Sequence, residues 1–260
     1  MYTPKTGCGQ PGEYCGNTEK IQKERKLPMK CIGIIGAMEA EVRGLKEKMT
    51  EVTITRKASM EFNEGIIAGK KVVVVRSGIG KVNAGICAQI LVDVFGAEMI
   101  INTGIAGSLD NQINIGDIVL CTDVLHHDMD ATGFGYPVGQ IPQMEEFSFA
   151  ADAKLRALAL QVCKEVNPDI EVFEGRIVSG DQFISDDAVK ASIIQNFGGC
   201  AVEMEGAAIG QTAYLNGVPF LVIRAISDKA DGSATMDYPA FEAAAIEHSV
   251  RLTYRMIQDL

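Results

Sequence analysis

The sequence predicts a three-layer α/β/α sandwich built on a central, mostly parallel, twisted mixed sheet. Three observations carry that expectation. Short β-rich runs alternate with helical stretches from Cys31 onward, the order that yields a sheet covered by helices on both faces. The strand runs, among them CIGIIG at 31–36 and VVVV at 72–75, are continuously apolar rather than alternating, which means burial on both faces. The chain has 260 residues, of which 47% are apolar and 22% charged, enough core-forming material for one large domain and no compositional case for wholesale disorder.

The elements follow in order. Residues 1–28 are polar, Gly-containing and charged, and the composition changes abruptly at Leu27-Pro28-Met29. They read as a disordered or adventitious extension, with Met29 a second candidate start and 29–260 a single domain. CIGIIG forms the first strand and EAEVRGLKEKM (39–49) the first helix; VVVVRSG (72–78) is a second strand. In KVNAGICAQILVDVF (81–95), Val82, Ile86, Ile90 and Val94 recur every four residues before Gly96, predicting an amphipathic helix packed on the sheet through that stripe. Strands are expected at MIINTG (99–104), DIVLCTDVLH (117–126), RIVSGD (176–181), AVEM (201–204) and PFLVIRAISD (219–228). Helices are expected at EGAAIGQTAYLNG (205–217) and from about Ala240 to the end. No repeat or Pro/Gly/Ser-rich linker divides this body.

Charge and cysteines narrow the function. A net charge of −10, from 24 Lys+Arg against 34 Asp+Glu, repels phosphate backbones and anionic lipid, so neither nucleic acid nor a membrane is an expected partner. The chain lacks an 18-residue apolar run and a signal-like start, and a cytoplasmic location is expected. Seven cysteines are an odd number, and Cys31, Cys87, Cys121, Cys163 and Cys200 sit singly in apolar surroundings, as reduced core residues do. Cys8 and Cys15 are too loosely spaced, without a second pair, for a metal knuckle.

Several strands end in glycine loops, yet none reads G-x-G-x-x-G. GIGK (78–81) lacks the upstream Gly and following Ser/Thr of a P-loop. Such glycines equally make tight turns or let a ligand approach the backbone. Carboxylates at the strand ends say more. Glu41 opens a helix after the first strand, Glu203 and Glu205 bracket Met204 after CAV, and Asp228 follows Ser227 after FLVIRAI. Singly they read as first-turn or N-cap residues; gathered on one sheet edge they mark a site, because like charges are not collected for stability. His126-His127-Asp128-Met129-Asp130 has no partner motif for a metal, since neighbouring strand residues face opposite ways. No serine or cysteine triad signature is present. No metal and no cofactor are expected.

Taken together, GIIGAMEAEV (33–42), SGIGKVNAG (77–85), INTGIAGSL (101–109), HHDMDATGFGYPVGQIP (126–142), SGDQFI (179–184), AVEMEGAAI (201–209) and VIRAISDKAD (222–231) closely resemble the 5'-methylthioadenosine/S-adenosylhomocysteine nucleosidases of the purine nucleoside phosphorylase superfamily. The resemblance runs in order from Met29 to about Leu260 and implies a nucleoside phosphorylase-like fold. It implies hydrolysis of the N-glycosidic bond of methylthioadenosine and adenosylhomocysteine, with 5'-deoxyadenosine a further substrate, in methionine salvage. Such cleavage leaves an oxocarbenium-like sugar and a poor leaving group, so it needs an acid for the base, a base for water, and carboxylate near the cation.

The resemblance implies these roles residue by residue. Asp228 protonates adenine with Ser227 orienting it, and Glu41 activates water. Glu205 grips the ribose hydroxyls, while Glu203 and Met204 shape the ribose pocket. Phe183 stacks on adenine, Ile184 reads the base edge through its backbone, Ala106 and Gly107 belong to the base loop, and Arg224 supports the acid strand. Met38 and Ile79 line the sugar and alkylthio region, with Tyr238 closing over the ligand. Phe134, Tyr136 and Pro142 are expected to complete the pocket of a second subunit, making a homodimer with shared sites.

Two departures touch affinity and tail preference: Ile105 stands where the family often has Ser or Thr, and Tyr238 where it usually has Phe. The alternatives are a phosphate-dependent phosphorylase of the same fold, a futalosine hydrolase, and a non-catalytic nucleoside sensor. Holding a proton on an ordinary Asp at pH 7 costs about 4 kcal/mol, a demand the surroundings of Asp228 must meet.

Overall fold

The computed structural model describes residues 30–260. The expected extension at 1–28, with Cys8, Cys15 and Met29, lies outside the described residues. Along the chain come β1 (Cys31–Gly36), α1 (Glu39–Lys46), β2 (Thr50–Lys57), β3 (Met60–Ile67), β4 (Lys70–Arg76), α2 (Lys81–Asp93), β5 (Ala97–Ser108) and β6 (Ile118–His126). A 3-10 turn (Thr132–Phe134), β7 (Phe149–Ala150), α3 (Ala153–Val166), β8 (Val172–Ser179) and α4 (Asp187–Phe197) follow. The chain ends with β9 (Ala201–Glu203), α5 (Gly206–Leu215), β10 (Phe220–Asp228) and α6 (Ala234–Asp259).

Among the described residues the strands form one ten-stranded mixed sheet in the order β10-β6-β8-β9-β5-β1-β4-β3-β2, with β7 on β6. β4, β1, β5 and β10 run parallel, and their side chains from Val72 to Val75, Ile34, Ile35 and Leu221 to Ile223 are buried on both faces, as continuous apolar runs require. β10 also pairs antiparallel with β6, so β10, β6, β8, β9 and β5 close on one another. The closure bears on the site. β9 meets the end of β5 antiparallel, Gly107 opposite Val202, so Glu203 reaches the site from the opposite direction to Glu41 and Asp228 rather than along one common edge.

Three features differ from the sequence expectation. The first is α2, whose expected core stripe faces outward except at Ile90, which packs half-buried on the core: Val82 is 72% exposed, and Ile86 and Val94 are also exposed, whereas Ala84, Cys87, Ala88 and Leu91 are buried. The small residues win because they let the helix lie close to the sheet; a Cβ on Gly33 of β1 would already touch Leu91 at 3.0 Å. The second is α6, which begins at Ala234 instead of about Ala240 and carries Pro239 in its second turn. The third is a set of additional elements. β2 is exposed along its whole length and turns into β3 through Ala58 and Ser59, both at positive φ, a mirror-image turn without the usual Gly or Asn signal. α3 and α4 are capped by Asp152 and Asp186, each of which accepts two backbone N–H bonds, the service an N-cap carboxylate renders to orphan donors. No helix among the described residues is long and apolar enough to cross a membrane.

Candidate active site

Glu41 sits in the first turn of α1, buried, and its carboxylate satisfies two backbone donors at once. Oε2 accepts from Met38 N–H at 2.9 Å and Oε1 from Ile105 N–H at 3.2 Å. The first bond is the helix-capping role open to any acid at this position; the second ties α1 to β5. It requires Gly104, because a Cβ there would lie 2.5 Å from Glu41 Oε1. Burial pushes the Glu41 carboxyl up against the opposing pull of Arg224 and the backbone donors.

Asp228 closes β10 and is 2% exposed. Its Oδ1 accepts from Ala230 N–H at 2.8 Å and its Oδ2 from the Ser227 hydroxyl at 2.9 Å. Burial raises its pKa in spite of both donors, and the charges of Asp237 and Asp231 push the same way. The environment therefore meets part of the demand for a proton held at neutral pH. Gly107 is the close neighbour, since a Cβ there would stand 2.8 Å from Asp228 Oδ1.

Between these acids lies a third group of charges. Glu203 accepts from Arg224 Nη2, from the Ser179 hydroxyl and from Gly206 N–H at 2.8 Å, so its oxygens are occupied by protein. Arg224 is fully buried and also donates to Asn102 Oδ1 at 2.7 Å. Its charge is upheld because Glu203, Glu205 and Glu41 outweigh the cost of burial. Glu205 accepts from Gly80 N–H at 2.9 Å through Oε1, and its Oε2 stays 3.8 Å from Arg224. Burial and the charge of Glu203 push Glu205 up to about 8.

These groups surround a cavity of about 360 Å³. Met38, Ile79, Ala106, Gly107, Phe183, Met204 and Tyr238 line it together with Glu41, Glu203, Glu205, Ser227 and Asp228. Of the residues expected from sequence, Ile184 lies in an adjoining recess of about 40 Å³ shared with Phe183 and Asp228. Arg224 stands behind the wall, touching Glu203 rather than the cavity. Phe134, Tyr136 and Pro142 do not line this chain's cavity; Phe134 is 87% exposed on the 3-10 turn. Ala37, Ile105 and Val202 also face the cavity. Ile105 was singled out only as a departure, and Ala37 and Val202 carry no chemical signal. Ser179 and Asn102, inside SGDQFI and INTGIAGSL, hold Glu203 and Arg224, which motif spacing alone does not reveal.

The two departures are built into the wall. Ile105 gives its backbone N–H to Glu41, as any residue there could, and lines the cavity with an apolar side chain that carries no hydroxyl. Tyr238 meets Phe183 edge to face at 5.9 Å between centroids, and its hydroxyl donates to Glu242 at 3.2 Å and lies 3.4 Å from Met38 Sδ. The histidine motif has its own use. Asp128 takes Lys81 Nζ and Asp181 N–H, and Asp181 accepts from Lys81 N–H at 2.8 Å, stapling the Phe183 loop to the start of α2. His126 Nε2 lies 3.0 Å from Gln211 Oε1, and burial pushes both His126 and His127 down toward the neutral form.

Comparison with known proteins gives consistent findings. Residues 31–258 match the phosphorylase superfamily. A 5'-methylthioadenosine/S-adenosylhomocysteine nucleosidase of Exiguobacterium sp. is 45% identical over 233 residues, 88% of this chain and 98% of that protein. The crystal structure of the nucleosidase of that name from Neisseria meningitidis, in complex with methylthio-immucillin-A, is similar with a TM-score of 0.86 and 39% identity, over 89% of this chain and all of that one. The futalosine hydrolase of Helicobacter pylori is similar with a TM-score of 0.85 and 32% identity, over 89% of this chain and 99% of that one.

Proposed function

The chain belongs to the phosphorylase superfamily and, within it, to the 5'-methylthioadenosine/S-adenosylhomocysteine nucleosidases, and we propose that it cleaves its substrates with Asp228 as general acid and Glu41 as the base for water. The reaction is hydrolysis of the N-glycosidic bond, releasing adenine and the 5-substituted ribose. Asp228, with Ser227 on Oδ2, protonates the leaving adenine. Glu41 takes a proton from the attacking water, and Glu205 receives the ribose hydroxyls. Burial raises the pKa of both carboxyls; at Glu41 the Arg224 charge and the backbone donors oppose the rise, whereas at Asp228 the charges of Asp237 and Asp231 add to it. These different neighbours support assigning the base role to Glu41 and the acid role to Asp228.

The observation that carries the choice of water over phosphate is the lining itself: four carboxyl groups, Glu41, Glu203, Glu205 and Asp228, and no Lys or Arg among the described residues. The test is release of adenine from methylthioadenosine in phosphate-free buffer. The expected sugar is the free 5-methylthioribose and the rate is unchanged by added phosphate; a phosphate-dependent rate with ribose 1-phosphate as product overturns it. A second reading, futalosine as an additional substrate, is supported by the likeness to the Helicobacter pylori hydrolase. Futalosine offered in the same assay tests it through the rate of release of its base.

The working unit is a homodimer in which Phe134, Tyr136 and Pro142 of one copy finish the other's pocket. Supporting it are the exposed Phe134 and the outward apolar stripe of α2, where Ile79, Val82, Ile86 and Val94 stand in solvent, a patch of the kind that marks an interface. The same reading places the enzyme in the cytoplasm and in methionine salvage. Elution at twice the monomer mass on a calibrated column is the expected result, and a monomer at working concentration contradicts it.

A further inference from the structure

The loop after Asp228 contains a peptide held at both ends. Ala230 N–H donates to Asp228 Oδ1 at 2.8 Å, and the carbonyl on the other side of that same peptide, Lys229 O, accepts from Lys190 Nζ at 2.6 Å. Lys190 comes from α4, is 8% exposed, and has Asp231 Oδ2 3.7 Å away. A lysine this buried is uncommon. The peptide is also strained: Ala230 has φ +51 and is fully buried, a conformation that a residue with a Cβ adopts only when its surroundings impose it. Gly107 leaves room for it, since a Cβ there would be 2.8 Å from Ala230 Cβ.

We propose that Lys190 is a positioning residue for the general acid: its ammonium fixes the 229–230 peptide so that the N–H stays on Asp228 Oδ1, leaving Oδ2 and Ser227 to hold and deliver the proton. The inference rests on the reading of Asp228 as the acid. An ammonium on the carbonyl polarises the amide and strengthens its N–H as a donor. The bond therefore both orients the carboxyl and tempers its basicity. The titratable groups acting on Asp228 are Asp231 in its own loop and Asp237 and Tyr238 at the start of α6; Lys190 on α4 reaches it only through the 229–230 peptide and Asp231, and Lys229 points away, its Nζ donating to Ile113 O at 2.6 Å.

The test is a comparison of Lys190→Met, Lys190→Arg, Lys229→Met and Asp228→Asn in methylthioadenosine cleavage from pH 5 to 10. For Lys190→Met the expected result is a fall in kcat of about tenfold with KM within about twofold, as for loss of alignment at a reacting group. The basic limb of its kcat profile should move to higher pH, because a carboxyl that has lost its donor holds its proton longer. Lys190→Arg should recover most of the loss. Lys229→Met removes a tether of the same loop without touching the clamped peptide and should leave the limb in place. An unchanged kcat in Lys190→Met, or a loss shared by Lys229→Met with the limb unmoved, overturns the proposal. If Lys190→Met does not fold by circular dichroism, Lys190→Gln carries the same comparison. Asp228→Asn separates the two readings. If it keeps more than about a tenth of wild-type activity the acid assignment itself fails; if it is inactive while Lys190→Met behaves as wild type, only the role of Lys190 fails.

Discussion

Glu205→Gln isolates the electrostatic tension between Glu205 and its buried surroundings. In the folded chain Glu205 keeps its proton up to about pH 8, against 4.5 for an ordinary Glu, because it is buried beside Glu203. Between those values the folded state binds a proton that the unfolded chain has released, so stability is full on the acid side and falls as pH rises through the window. At 1.36 kcal/mol per pKa unit the fall attributable to this one group between pH 5 and pH 8 is at most about 4 kcal/mol. The amide of Gln keeps an oxygen for Gly80 N–H and cannot ionise, so it removes the pH-dependent part and little else. The assay is urea unfolding of ligand-free protein at pH 5, 6, 7 and 8. Groups that are not among the charges acting on Glu205, such as Asp228, His126 and His127, titrate alike in both proteins and cancel in the difference. The wild type should lose stability relative to Glu205→Gln by about 2 to 4 kcal/mol over that range. Parallel curves would refute the reasoning, and with it the view that Glu205 waits protonated for the ribose hydroxyls.

Asp228→Asn should lower kcat by at least about 100-fold, the lower end of general acid catalysis, while calorimetry still detects nucleoside binding; more than about a tenth of wild-type activity refutes it. Glu41→Gln should be nearly inactive, since an amide is a poor base and its single oxygen can take the place of only one of the two carboxylate oxygens, leaving the NH₂ donor against Met38 N–H or Ile105 N–H; substantial turnover in stopped assays argues for another base. Mixing inactive Asp228→Asn with inactive Phe134→Ala subunits should restore activity by forming one intact site per heterodimer. Failure despite demonstrated exchange argues for self-contained sites. Deleting residues 1–28 should leave turnover and Tm unchanged, because the cavity is lined by residues between Ala37 and Tyr238; loss of folding on truncation contradicts this.

What the sequence made legible were patterns with a single reading. The doubly buried strands announce themselves as unbroken Val and Ile, and the carboxylates after β1, β9 and β10 stand at their strand ends whatever the topology. α2 was misread because both of its faces are apolar: periodicity finds the bulky stripe of Val82, Ile86 and Val94, while contact with the sheet selects the small stripe of Ala84, Cys87 and Ala88. β2 escaped because TEVTITRK has no continuous apolar run, and an edge strand exposed along its length needs none. Sequence places Arg224 beside the acid strand, yet its partners, Glu203 with the more distant Glu205 and Asn102, come from two other segments. Only the closure of β10 onto β5 and β6 brings them together. The clamp of Lys190 on the 229–230 peptide is invisible for the same reason, being a contact between α4 and a loop 39 residues later.

That placement of Arg224 decides what nucleophile the site accepts. A phosphorylase needs a cation beneath the sugar to hold a phosphate dianion. Here the guanidinium is turned into the wall, its Nη2 shared between Glu203 and Asn102, and freeing it would strand the buried Glu203 charge. Whenever Glu41 is ionised, as a base for water must be, it repels each charge on a phosphate oxygen about 4 Å away by about 4 kcal/mol at an effective dielectric near 20. That is roughly a thousandfold in affinity. Water meets no such penalty, and under the proposed mechanism it has in Glu41 an acceptor whose basicity burial raises. The cationic sugar that forms as the bond to adenine breaks is drawn to the same Glu41 charge, so in that mechanism one carboxylate both disfavours phosphate and favours the transition state of hydrolysis.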